Sequence, residues 1–64
     1  MPHKLWLVDR VFGKNKEHVE VVSGEEKKIV ENILHRDIHP GNYLVLEDAL
    51  IMDVLTEADA KKRI

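Results

Sequence analysis

The sequence predicts a small α+β domain: a three-stranded antiparallel sheet with two helices on one face, in the order ββαβα. Three observations carry this reading. Residues 4–12 and 18–22 are rich in β-branched and aromatic side chains and flank a short polar stretch, which is the pattern of a hairpin. Residues 23–36 and 48–63 each space their apolar positions as a stripe at helical intervals. Between these halves stands Pro40-Gly41, a pair that neither a helix interior nor a central strand accommodates.

In the first strand, Trp6 and Val8 fall on one face and Leu5 and Leu7 on the other, with Val11 and Phe12 beyond them. A strand apolar on both faces is expected to be central, or to have one face covered by a partner. Residues 13–17, Gly-Lys-Asn-Lys-Glu, make the polar reversal, and residues 18–22 return as the second strand. Ser23 then reads as a helix N-cap. Ser23-Gly24-Glu25-Glu26 has capping-box spacing, and both glutamates suit the positive end of the dipole. Ile29, Val30, Ile33 and Leu34 supply the stripe, and the helix ends near Arg36.

Pro40 biases His39 toward an extended conformation, and Pro40-Gly41 fits the centre of a type II turn, with glycine supplying the positive φ. Residues 42–46 form the third strand. Residues 48–63 read as the second helix, with Leu50, Ile51, Val54, Leu55 and Ala58 as its stripe and Lys61-Lys62-Arg63 closing it. An alternative, ββαββ with a short C-terminal helix, turns a hairpin at Glu47-Asp48. It makes residues 50–54 a strand and starts a helix at Thr56.

The 64 residues form a single domain, 1–64. A chain this short buries only about 60% of the surface its unfolded form exposes, so its core is marginal. It contains no cysteine, so neither disulfides nor thiolate zinc ligation can staple it. The expected remedy is a partner subunit. A formal charge of −2, with scattered basic residues, disfavours a nucleic-acid binder that works by phosphate neutralisation. No apolar run approaches the roughly 20 residues that span a bilayer, and Asp9 interrupts the N-terminal apolar run too early for a signal peptide. The default expectation is a cytoplasmic protein with no membrane role.

Two imidazoles, a carboxylate and an amide are concentrated in His35-Arg36-Asp37-Ile38-His39-Pro40-Gly41-Asn42. His35-Arg36-Asp37, followed after four residues by Asn42, resembles the catalytic loop of the protein-kinase and aminoglycoside-phosphotransferase superfamily. The resemblance covers about residues 33–53. It implies a helix before the loop, Asp37 as the base that deprotonates an acceptor hydroxyl, and Asn42 and Asp53 as ligands of a divalent metal ion. The pattern lacks companions that phosphoryl transfer requires: Gly13-Lys14-Asn15 holds one glycine where a phosphate loop needs several, and Asp53-Val54-Leu55 lacks the Phe-Gly of the family.

Two further readings use the same residues. His35, Asp37 and His39, spaced two apart, offer donors suited to zinc or another first-row ion, with His3 or His18 as an added ligand. In the plainer reading the segment is a helix end and a turn, with Asp37 bonding nearby backbone N–H groups and Asn42 capping the turn. The expected function is therefore non-enzymatic: an accessory or inhibitory factor, without cofactor, that acts through a protein surface by binding a protein partner or by self-association as a dimer. Trp6, Val8, Phe12 and Val22 are the expected interface residues. The alternative is the divalent-metal or phosphoryl-transfer site around Asp37.

Overall fold

A computed structural model describes residues 4–62. Five strands, β1 (Leu5–Phe12), β2 (His18–Ser23), β3 (Glu26–Glu31), β4 (Tyr43–Glu47) and β5 (Leu50–Leu55), precede one short helix, α1 (Glu57–Lys62). All neighbouring strands run antiparallel, in the spatial order β3-β2-β1-β4-β5. The three-stranded ββαβα architecture is therefore wrong. The ββαββ alternative fails as well, because its first helix is also a strand.

The error starts at Ser23. Ser23 pairs with Glu26 across the two-residue turn Gly24-Glu25, and Gly24 has φ +61°. Glycine first with positive φ, followed by a residue of ordinary φ, is the geometry of a type II′ hairpin turn, whose twist suits antiparallel strands. The same four residues satisfy the capping-box spacing, but Ser23 lies in strand pairing and caps nothing. The stripe of residues 29–34 is likewise not helical. Val30 is buried, whereas Ile29, Ile33 and Leu34 are exposed. β3 was hard to recognise because its inward position 28 is a lysine, whose Nζ lies 4.7 Å from the centre of the Trp6 ring. An aliphatic stem can cover apolar surface while its charged head stays wet.

The second predicted helix is also overturned over most of its length. Asp48, at φ +55°, turns the chain between β4 and β5, and only Glu57–Lys62 is helical. From Asp48 to Lys62 the chain follows the course of the alternative reading. Thr56 Oγ1 accepts the Asp59 N–H at 3.1 Å as the helix cap. Ala60, not Ala58, faces inward. Arg63 of the predicted basic cluster lies outside the described residues.

Two bulges shape the sheet. In β1 the register passes from Val8↔Val21 to Arg10↔Glu20, which leaves Asp9 as the extra residue and turns Val11 onto the core side. In β5 it passes from Val45↔Asp53 to Leu46↔Ile51, leaving Met52 extra. The sheet curls until β3 approaches β5, and Lys28 Nζ donates to the Asp48 carbonyl at 2.9 Å across that gap. The main core lies inside the curl. It holds Trp6, Val8, Val19, Val21, Val30, Leu44, Leu46 and Ile51, closed at one end by Ile38. On the outer face, Ala60 packs with Val45 and Leu55, and Leu5 and Tyr43 flank them.

Candidate functional site

The connector between β3 and β4, residues 32–42, carries the chemistry singled out in the sequence, and its shape is set by two asparagines. Asn32 is buried. Its backbone N–H donates to the Glu17 carbonyl at 2.8 Å and its carbonyl accepts from His35 N–H at 3.1 Å. Its side chain closes a ring with Arg36: Nδ2 donates to the Arg36 carbonyl at 2.8 Å, and Oδ1 accepts the Arg36 N–H at 2.9 Å. This clamp holds His35 at φ +50°, a left-handed conformation unfavourable for a residue with a Cβ.

The second asparagine, Asn42, fixes the turn. Asn42 N–H donates to the His39 carbonyl at 3.0 Å, Asn42 Oδ1 accepts the His39 N–H at 2.9 Å, and Gly41 has φ +96°. The expected type II turn is present. It is pinned to β1 beside the Asp9 bulge by Gly41 N–H to Val8 carbonyl at 3.0 Å and Val8 N–H to Asn42 carbonyl at 2.8 Å.

These contacts revise the roles read from sequence. Asp37 does not hold the backbone; its exposed carboxylate pairs with His39 Nε2 at 2.7 Å, and Asn32 and Asn42 do the bracing. The helix implied by the kinase-loop resemblance is absent, because β3 leads into the connector. Asn42 is engaged within the turn. Asp53 sits on β5 opposite Val45 and accepts the Val54 N–H at 2.9 Å. Among the described residues no three His, Cys, Asp or Glu side chains gather to hold a metal ion. His35 therefore does not join Asp37 and His39 in a ligand set; His3 lies outside the described residues. His18 is engaged elsewhere, with Nδ1 at 2.8 Å from Glu31.

The four expected interface residues are dispersed. Trp6 and Val8 are 7% and 2% exposed, inside the chain's own core. Lys4 and Lys28 lie over the Trp6 ring, each 4.7 Å from its centre. Phe12 is half-buried between the His18 ring and the Arg10 guanidinium. Val22 is half-buried, in register with Leu7 and Lys27.

Two depressions flank the connector. One, of about 20 Å³, is lined by Ile33, Leu34, Ala49, Leu50 and Ile51 together with Glu31, Asn32 and Arg36. The other, of about 260 Å³, is polar and is lined by Lys16, Asn32, His35, Arg36, Asp37 and His39 among others. Next to it, the Glu17 carboxyl is held below the usual carboxylate range. Hydrogen bonds from its own backbone N–H and that of Asn15 are the main cause, with smaller contributions from His18 and His35. At the other end of the sheet, the hydrogen bond and charge of Lys4 lower the Glu26 carboxyl.

The sequence assigns no role to Asn32, Lys16 or Arg36, although Arg36 stands within the His35–Asn42 segment. Asn32 had one legible signal: an asparagine just after a β-prone run, placed to bond its own backbone a few residues on. No family model matches the chain, and no curated protein or solved structure is significantly similar to it. No helix among the described residues is long and apolar enough to cross a membrane.

Proposed function

We propose that this protein is a non-enzymatic, cytoplasmic interaction module that binds another protein, or a second copy of itself, through the connector end of the sheet. One observation supports the reading above others. Ile33, Leu34 and Leu50 are 74%, 69% and 55% exposed and line one shallow depression together. Its volume is far below the several hundred Å³ of small-molecule pockets, so a flat protein surface is the fitting occupant. The Asn32 side chain closes a ring with Arg36 around Ile33 and Leu34, so little loop ordering opposes docking.

Full burial of an aliphatic side chain contributes about 1.5–3 kcal/mol, and association costs at least about 4 kcal/mol in lost freedom. Three such residues anchor an interface but do not complete one, and polar contacts around them must supply the rest. The test compares wild type with the Ile33→Asp/Leu34→Asp double variant by sedimentation velocity at micromolar concentration and by affinity capture from cells. Both side chains are exposed, so the variant keeps its fold. The reading requires that the variant lose either a dimer or a captured protein. Identical mass and identical capture for the two proteins reject it.

A further inference from the structure

The polar cleft of about 260 Å³ adjoins the apolar depression, sharing Asn32 and Arg36 with it, and has a charge arrangement of its own. Most cations of the described residues are engaged. Lys4 meets Glu26, Arg10 and Lys27 meet Glu20, Lys61 meets Glu57, and Lys28 donates to a carbonyl. Lys14, Lys16, Arg36 and Lys62 are not engaged, and of these four Lys16 and Arg36 share one cleft. Among the described residues neither the Lys16 ammonium nor the Arg36 guanidinium has an acceptor, and both line this cleft with His35. The carboxylate present, Asp37, is occupied by His39 at 2.7 Å.

The backbone points the same way. Three non-glycine residues have positive φ, and two of them, Lys16 at +56° and His35 at +50°, are cleft residues. Each left-handed residue with a Cβ costs roughly 1–2 kcal/mol, and such strain concentrates at binding sites. Here it is imposed by hydrogen bonds, from Lys16 N–H to the Gly13 carbonyl at 3.2 Å and from His35 N–H to Asn32.

We propose that this cleft binds an oxyanion, a phosphoryl or carboxylate group, between the Lys16 ammonium and the Arg36 guanidinium, with His35 on its wall. The guanidinium offers a planar fork matched to two oxygens and the ammonium a point charge, the pair of donors such groups take. The site shares Asn32 and Arg36 with the apolar depression but not Ile33, Leu34 or Leu50, so its failure leaves the interaction reading, which turns on those three, standing.

The test is an amide chemical-shift titration of the full chain with inorganic phosphate, acetate and chloride at matched ionic strength. Saturable shifts at Lys16, His35 and Arg36 with phosphate or acetate, and not with chloride, support the site, and the arm that saturates identifies the group. Lys16→Gln and Arg36→Gln should each weaken binding about tenfold, the loss of one charge-assisted hydrogen bond, while Lys62→Gln leaves it unchanged. Shifts that never saturate, that chloride reproduces, or that survive in both cleft variants overturn the proposal. The wild-type titration alone decides it should a variant fail to fold.

Discussion

Removing the Asn32 side chain is a sharp perturbation of this fold, because that one buried residue closes the first half of the connector. Asn32→Ala deletes two hydrogen bonds, of 2.8 and 2.9 Å, to the carbonyl and N–H of Arg36. Each contributes about 0.5–1.5 kcal/mol net. Arg36 is half-buried, so water reaches its freed backbone groups and their desolvation penalty is partial. We expect a loss of about 2 kcal/mol in urea denaturation, a large share of the stability of so small a domain. If the loss is local opening, native-state hydrogen exchange at the Arg36 amide accelerates roughly 30-fold, since 1.4 kcal/mol is a factor of ten. Asn32→Asp keeps the acceptor and drops the donor, so it should fall between wild type and alanine. A loss below about 0.5 kcal/mol, with Arg36 still protected, would refute the clamp and leave His35 at positive φ without a cause.

Trp6→Ala should cost about 3–5 kcal/mol, because the ring fills the core and supports two lysine heads; thermal or urea denaturation measures it, and a cost near 1 kcal/mol would mean the ring is not core. Gly24→Ala should cost about 1 kcal/mol from its positive φ alone, since no atom lies within 4 Å of the added Cβ. Gly13→Ala should cost more, because φ +104° lies beyond the left-handed region open to a residue with a Cβ. The Glu17 carboxyl, 2.8 Å from the added Cβ, would also have to shift off the Asn15 N–H; equal midpoints in urea would contradict this reasoning. On acidification, Glu17 and Glu26, both depressed in the folded state, bind protons more weakly folded than unfolded. Their contribution is therefore complete above the ordinary carboxylate range and disappears as pH falls through their lowered values. The melting temperature should drop over that acid interval, and Glu17→Gln should flatten the drop; an unchanged slope would exclude Glu17 as a source.

The sequence by itself determined what is local. The β1–β2 hairpin with its polar reversal at residues 13–17 follows from β-prone runs on both sides of a turn. The Pro40-Gly41 turn follows from one fixed φ and one residue free to take a positive φ. Tertiary structure decided the segments whose local signals served two states. Ser23-Gly24-Glu25-Glu26 satisfies both a helix cap and a type II′ hairpin, and pairing with β2 chose the hairpin. Residues 50–55 hold enough apolar positions for either period, and the register with β4 chose the strand. Lys28 concealed the inward face of β3, because its stem acts as apolar cover only once Trp6 is beneath it. The cleft was invisible for the same reason. Lys16 and Arg36 are twenty residues apart in sequence, and what joins them is the backbone bond from Asn32 to the Glu17 carbonyl. A contact of that kind forms only after the strands on either side have paired.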